Sequence, residues 1–278
     1  MNINQLSSYQ EEVAQYTKKD AAHALLFAAY IAFMSTVFLI FVTALDLRDD
    51  DLQISFLGNL LGVGMLPLYF VPLFVVIKKK RQGLRSVGLH LIDWKKALGA
   101  GLIFLITNLL LFEGFLPGLL AGWQMRSASM LTWFIAWLLI RAFFEDVMFI
   151  GYIQTRIHGL IKNEALAIFI VALIFAIIHY PGFIALNIAS GVDFGFNFWG
   201  NLALYTLYWM TGYVFMNFVF RQLRSIIPVT LLHFSINIAQ RGDLWEYRGD
   251  GGFNEIFSVI MIGIVLLSIC VIKHRVTK

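Results

Sequence analysis

In the stretch LTWFIAWLLIRAFFEDVMFIGYI, residues 131–153, a long apolar run is interrupted by three charged residues, Arg141, Glu145 and Asp146. A helix that crosses a bilayer needs about 20 predominantly apolar residues, which this stretch supplies. Ionisable groups inside such a helix are costly, and they generally mark functional or paired positions. The stretch therefore predicts a transmembrane helix that carries part of a functional site.

Similar apolar blocks recur along the whole chain, which is 59% hydrophobic and only 14% charged. Soluble domains carry about 25% charged residues, whereas a chain that crosses a bilayer repeatedly alternates long apolar blocks with short polar ones. Eight blocks have this character: 23–45, 56–77, 95–112, 130–155, 164–180, 197–220, 226–240 and 254–272. The sequence therefore predicts an all-α, polytopic membrane protein with about eight transmembrane helices.

This pattern predicts one transmembrane domain, residues 23–272, between a polar N-terminal segment, 1–22, and a basic tail, 273–278. Cytoplasmic loops of membrane proteins are enriched in lysine and arginine, so the basic segment 78–96 should be cytoplasmic. With eight helices, the same side receives the other positive clusters: Arg156 with Lys162, Arg221 with Arg224, and the tail. The acidic run Asp49–Asp51 falls on the opposite side. Both termini are therefore predicted to be cytoplasmic, in a protein of the cell membrane.

The net charge of +4 does not indicate a nucleic-acid partner, because the positive residues lie at the ends of the apolar blocks. The expected surroundings are the lipid bilayer. The single cysteine, Cys270, excludes an intramolecular disulfide and a multi-thiolate metal site.

Three predicted helices carry ionisable groups deep into the membrane. Depth is counted from the positive residue at the cytoplasmic end of each helix, at 1.5 Å per residue. On this scale Glu145 lies roughly 16 Å deep, His233 roughly 18 Å and His179 roughly 25 Å. His179 is expected at the end of its helix, just before Pro181. An acid and two imidazoles are therefore predicted at a middle-to-outer depth.

Helical spacing gives these groups neighbours on the same face. Residues four apart share a face, which pairs His233 with Asn237, Phe175 with His179, and Arg141 with Glu145. Glu145 and Asp146 are adjacent and diverge by about 100°, so only one of the two carboxylates can face a shared cavity directly.

Two kinds of chemistry suit this set. A buried carboxylate beside an imidazole can bind and deprotonate water, while a histidine–asparagine pair can donate hydrogen bonds to a developing oxyanion. These are the parts of an amide hydrolase. Alternatively, Glu145, His179 and His233 form a two-histidine, one-carboxylate site for a divalent metal such as zinc. Spacing alone leaves both interpretations open.

The order of these residues resembles the CPBP (Abi) family of intramembrane proteases, which are related to the type II CAAX prenyl endopeptidases. The family's first motif has two glutamates and, four residues after the second, an arginine; it corresponds to Glu145, Asp146 and Ile150. Its Phe-x-x-x-His motif corresponds to Phe175 and His179, and its His-x-x-x-Asn motif corresponds to His233 and Asn237. The resemblance covers residues 130–240.

The resemblance implies a membrane peptidase in which Glu145 and His179 activate water, and His233 and Asn237 stabilise the oxyanion. A peptide or a membrane protein is the implied substrate. Whether a divalent metal is needed stays open. The chain departs from the family pattern at Asp146, which is one methylene shorter than glutamate, and at Ile150, where the arginine is missing.

The missing arginine favours a second hypothesis. In it, Asp146 loses a partner one turn away, while Arg141 pairs with Glu145 instead. The chain would then be a catalytically impaired relative: a scaffold, a regulator or a bacteriocin self-immunity protein that binds another membrane protein. A transporter is less well supported, because the sequence shows no repeated halves. The aromatic run at 194–213 is expected to face lipid.

Overall fold

The computed structural model describes residues 9–46, 56–90, 92–108, 124–125, 128–189, 195–241 and 245–246. Several sequence predictions therefore lie outside the described residues: the eighth apolar block at 254–272, the basic tail, the acidic run Asp49–Asp51 and Cys270.

The described part of the chain is almost entirely helical. Its helices in the first half are α1 (Tyr9–Ala14), α2 (Lys18–Ala44), α3 (Phe56–Lys79), a 3-10 helix (Leu84–Val87) and α4 (Trp94–Asn108). Those in the second half are α5 (Ala128–Asp146), a π-helix (Val147–Ile153), α6 (Gln154–Ile157), α7 (Glu164–Ala189), α8 (Phe196–Leu223) and α9 (Ile226–Arg241). Two short strands, β1 (Gln124–Met125) and β2 (Trp245–Glu246), pair in antiparallel register.

Three of these helices contain segments long and apolar enough to cross a membrane: Lys18–Ala44, Leu60–Lys79 and Glu164–Ala185. A shorter apolar helix covers Ile226–Asn237. Side chains such as Phe33, Val71, Phe169 and Trp199 are more than half exposed, which is expected of surfaces that face lipid. The prediction of an all-α membrane protein is confirmed, whereas the number of spans stays a prediction.

A proline within α3 shows how a side chain can replace a missing backbone hydrogen bond inside lipid. Pro72 lies within α3 and has no N–H to donate to the carbonyl of Leu68, four residues earlier. The hydroxyl of Tyr30 on α2 donates to that carbonyl at 2.6 Å. An unpaired carbonyl is costly in a bilayer, so this bond stabilises α3 and ties it to α2.

The chain divides into two compact units. The first contains residues 1–94 and 143–226, and the second contains residues 95–142 and 227–278. Within the second unit, α4 and α9 approach closely at Gly101, where a β-carbon would lie 2.6 Å from Leu231 Cδ1 and 3.1 Å from Pro228 Cα. Glycine is therefore needed at this contact between the two helices.

Within the first unit, the N-terminal helix packs against the ends of longer helices. Tyr9, Glu12 and Val13 of α1 are buried, as is Tyr16 just after it. Glu12 forms an ion pair with Arg224 at the end of α8. The segment predicted only to be polar is thus partly structural.

Positive residues predicted to orient the membrane helices are also buried. Arg156 is fully buried, and Arg224 is 6% exposed. A buried charge is costly unless it has partners: Arg156 donates to the Ser86 carbonyl, and Arg224 pairs with Glu12, both within the first unit. The sequence predicted these residues at cytoplasmic helix ends and did not predict their burial, which arises because the N-terminal segment and the loop after α3 cover them.

Candidate functional site

The acid pair Glu145 and Asp146 ends helix α5, at the start of the first unit's second segment. Asp146 is 1% exposed, whereas Glu145 is partly buried. This difference agrees with the expectation that adjacent helical residues diverge, so that the two carboxylates have different surroundings. Asp146 lies close enough to the hydroxyl of Tyr213 on α8 to interact with it electrostatically.

Directly after Asp146 the backbone forms a π-helix over Val147–Ile153, and all seven residues are buried. The sequence predicted one continuous helix over 130–155, without this change of hydrogen-bond register. π-helical segments are rare and frequently occur at functional sites. Within this segment Gly151 must be glycine for steric reasons, because a β-carbon there would lie 2.5 Å from the Val87 carbonyl oxygen.

Backbone and side-chain hydrogen bonds together stabilise the π-helix. The Gln154 N–H donates to the Phe149 carbonyl, five residues earlier, and the Tyr213 hydroxyl donates to that same carbonyl at 3.3 Å. Tyr213 also donates to Gln154 Oε1 at 2.9 Å. Near the other end, Arg156 Nη1 donates to the Gly151 carbonyl at 3.0 Å. Sequence reasoning missed both Gln154 and Tyr213, because neither belongs to a recognisable motif.

Arg156 is anchored on the other side by the segment that follows α3. Its guanidinium donates to the Ser86 carbonyl at 2.9 Å, to Ser86 Oγ at 2.6 Å and to Gln82 Oε1 at 2.9 Å. The rings of Tyr16 and Tyr152 lie 4.5 and 4.7 Å from its central carbon. Burial is the largest influence on the pKa of Arg156 and lowers it, but arginine stays protonated in proteins.

His179 is oriented by the other member of its predicted motif. Its Nδ1 lies 2.7 Å from the carbonyl oxygen of Phe175. Since a carbonyl can only accept, Nδ1 carries the proton and donates, and Nε2 of the neutral ring has a lone pair. The motif therefore fixes the tautomer that a proton acceptor needs.

His179 lies inside α7, which continues through Pro181 to Ala189. The expected helix end at residue 180, and the placement of His179 at that end, were therefore wrong. Proline removes one backbone donor but does not always end a helix, particularly where packing against a neighbouring helix supports it. Here α7 packs extensively against α8.

Aromatic rings from two other elements surround the Phe175–His179 pair. Trp209 stacks on the imidazole at 5.0 Å between ring centroids, and Tyr213 lies 5.3 Å from the Phe175 ring. Phe149 of the π-helix meets Phe175 edge-to-face at 5.1 Å. The prediction that residues 194–213 face lipid was therefore only partly right: Trp199 is 57% exposed, but Tyr213 is fully buried.

His233 and Asn237 lie one turn apart on α9, in the second unit. His233 is 5% exposed and Asn237 is partly buried. Glu145, Asp146 and His179 belong to the first unit. That all of these side chains meet around one water molecule stays a prediction.

The hypothesis of a catalytically impaired relative depends on Ile150 and Arg141. Ile150, which replaces the family arginine, is 1% exposed within the π-helix. Arg141 is partly buried and belongs to the second unit, so its pairing with Glu145 stays a prediction.

A metal site was the alternative chemical interpretation. Among the residues that the structure describes, no group of three or more His, Cys, Asp or Glu side chains could hold a metal ion. Glu145 and His179 belong to the first unit and His233 to the second, so the two-histidine, one-carboxylate site stays a prediction, and no step of the chemistry below passes through a metal.

The fold and these residues define a class: a membrane-embedded helical protein with an acid pair and an oriented imidazole in one compact unit. Residues 126–239 match the family described as type II CAAX prenyl endopeptidase Rce1-like. The match covers less than half of the chain but includes all three motifs, and it confirms the relation to the CPBP family. No curated protein and no solved structure matches the chain.

Proposed function

We propose that this protein is an intramembrane endopeptidase, in which Glu145 and His179 activate water and His233 and Asn237 stabilise the oxyanion. The observation that carries this proposal is the bond between His179 and the Phe175 carbonyl, which leaves the lone pair on Nε2. A histidine held in this tautomer can accept a proton from water.

The proposed reaction adds water across one peptide bond. Glu145 and His179 hold the water and take one proton as its oxygen attacks the carbonyl carbon. Hydrogen bonds from the His233 ring and the Asn237 amide then stabilise the negative charge on the carbonyl oxygen. The carbon–nitrogen bond breaks, the accepted proton passes to the leaving amine, and a carboxylic acid and an amine are released.

The surroundings of His179 suit this role. The rings of Phe175 and Trp209 pack against the imidazole, which is partly buried. Electrostatic interactions and hydrogen bonds are stronger where water is excluded, which favours a proton transfer between fixed groups. The substrate would be a peptide or a segment of a membrane protein, entering a multi-pass protein of the cell membrane from the lipid or the cytoplasm.

A second candidate function is a non-catalytic scaffold, regulator or immunity protein. The observation that favours it is Ile150, a fully apolar and buried residue where the family has arginine. Such a protein would bind another membrane protein, and its effect would persist without Glu145 and His233.

Purified protein in lipid nanodiscs provides the test. The probes are a farnesylated peptide with a C-terminal CAAX sequence and the same peptide without the lipid, each analysed by mass spectrometry for a cleaved product. Glu145→Gln should abolish cleavage, while the matched control Glu164→Gln should retain it, because the described partners of Glu164 are Arg221 and Gln10 and not the proposed catalytic residues. Cleavage that survives Glu145→Gln would refute the assignment.

Two further measurements separate the alternatives. A chelator added to the wild-type assay should leave the rate unchanged if water is activated by Glu145 and His179 alone. If no peptide is cleaved, co-purification of a stoichiometric membrane partner by both the wild type and a Glu145→Gln, His233→Ala variant would support the scaffold.

A further inference from the structure

We propose that Tyr213 is a positioning residue for the acid pair, because its hydroxyl holds the π-helix in the register that sets the direction of Glu145 and Asp146. This inference deepens the proposed function and rests on it only for the role given to the acids. The geometry concerns four residues: Tyr213, Gln154, Phe149 and Asp146.

The hydroxyl contacts both residues joined by a π-helical hydrogen bond. Tyr213 donates to Gln154 Oε1 at 2.9 Å and to the Phe149 carbonyl at 3.3 Å, while the backbone N–H of Gln154 donates to that carbonyl. In an α-helical register the Phe149 carbonyl would instead accept from the N–H of Ile153. The side chain of Gln154 would then be displaced, so the Tyr213 hydroxyl favours the π register over the α register.

The far end of the π-helix is fixed separately. Arg156 donates to the Gly151 carbonyl and is anchored by Ser86 and Gln82 from the segment after α3. Thr155 Oγ1 also contacts the Gly151 carbonyl, at 2.8 Å. Since this end is held, a change of register in the π-helix must move the other end, where the acids lie.

The acids directly precede the π-helix in the chain. Asp146 has helical dihedral angles, φ −68° and ψ −42°, so no loop separates α5 from the π-helix. A shift of one residue in a helix corresponds to a rotation of about 100° and a translation of about 1.5 Å. Such a rotation would turn the side chains of Glu145 and Asp146 away from their present directions. A catalytic carboxylate that is misplaced in this way reacts more slowly with a bound substrate.

Tyr213→Phe tests the hydroxyl while retaining the ring that packs against Phe175. The matched control is Tyr205→Phe on the same helix, because Tyr205 is 42% exposed and lies outside the π-helix contacts. Gln154→Leu removes the other partner of the same hydrogen bond and serves as a second variant. All variants are made in the full chain and reconstituted in nanodiscs.

The readout is labelling by dicyclohexylcarbodiimide, which attacks protonated carboxyl groups within apolar surroundings. Mass spectrometry of the peptide containing Glu145 and Asp146 gives the rate of adduct formation at several pH values. Tyr213→Phe and Gln154→Leu should each change this rate at least threefold and move its pH midpoint, while Tyr205→Phe should match the wild type. The double variant should show no more change than either single variant, since both remove one interaction.

Equal labelling of the wild type and Tyr213→Phe at every pH would overturn the inference, as would an equal change in Tyr205→Phe. If the wild type does not label, labelling that appears in Tyr213→Phe supports the inference and its continued absence overturns it. Because labelling needs no turnover, this test fails or succeeds independently of the proposed peptidase. If the protein cleaves a peptide, Tyr213→Phe should lower kcat about tenfold with little change in KM.

Discussion

Arg156 and His179 are both polar residues on helices of the first unit, but their hydrogen bonding differs. The donors of Arg156 are directed at Gln82, Ser86, Gly151 and Thr155, all within the protein. The Nδ1 proton of His179 is donated to the Phe175 carbonyl, and the chemistry of imidazole then places a lone pair on Nε2 of the neutral ring. The comparison indicates that a buried cation whose donors all bond to the protein supports the fold, whereas an imidazole whose proton is fixed on one nitrogen is suited to proton transfer through the other.

The largest expected effect concerns His179. His179→Ala should lower kcat by about 10²–10⁴-fold, the usual contribution of a general base, with little change in thermal stability. Peptide cleavage and the unfolding temperature, measured in the same nanodisc preparation, check this expectation. Loss of stability without loss of activity would reverse the comparison and make His179 structural.

The next effect concerns Arg156. Arg156→Met should lower the free energy of unfolding by about 3–5 kcal/mol, because the carbonyls of Ser86 and Gly151 lose a charged donor while remaining buried. Lys79→Met at the exposed end of α3 is the matched control and should change it by less than about 0.5 kcal/mol. Denaturation of both variants in one detergent gives the difference. An unfolding free energy that is equal in the two variants would contradict the structural role.

Two ion pairs sharpen the comparison between fully buried and partly buried charges. Glu12→Gln leaves Arg224 buried without its carboxylate and should destabilise the protein by about 3 kcal/mol. Asp20→Asn breaks the pair with Lys80, whose side chain is 20% exposed, and should cost about 1 kcal/mol. Thermal unfolding at low and high salt checks both values, and salt should weaken only the Asp20–Lys80 pair appreciably.

The smallest effect concerns His158, which follows α6 and contacts the Tyr9 hydroxyl at 3.3 Å. Burial lowers the pKa of His158 below its ordinary value, while Glu164 opposes this and Arg221 and Lys162 reinforce it. The folded state therefore favours the neutral ring. Its stabilising contribution is complete above the unfolded pKa of about 6.5 and is lost as the pH falls from there through the folded pKa.

His158→Gln provides the measurement of this pH dependence. Between pH 7.5 and pH 5.5 the unfolding temperature of the wild type should fall more than that of His158→Gln, by an amount worth at most about 1.4 kcal/mol per pH unit. Identical pH profiles for the two proteins would contradict the assignment.

The sequence was sufficient to predict the class of fold, the family and the positions of the motifs. Apolar blocks and motif spacing depend on local residue types, so they can be recognised without a structure. The π-helix could not be predicted, because its register depends on Tyr213, which lies far from it in the chain. The burial of Arg156 and Arg224 was missed for the same reason: their partners lie in other segments. The extension of α7 past Pro181 depends on packing against α8.

The ion pair between Glu12 and Arg224 joins residues 212 positions apart, and the contact between Tyr9 and His158 joins residues 149 positions apart. During synthesis the N-terminal segment leaves the ribosome well before α6 and α8 have been made. Glu12 therefore remains without Arg224 until the chain has been made beyond residue 224. Helix α1 is thus the first described helix to be synthesised and among the last to reach its final place. The first unit can be completed only after α8 has been inserted.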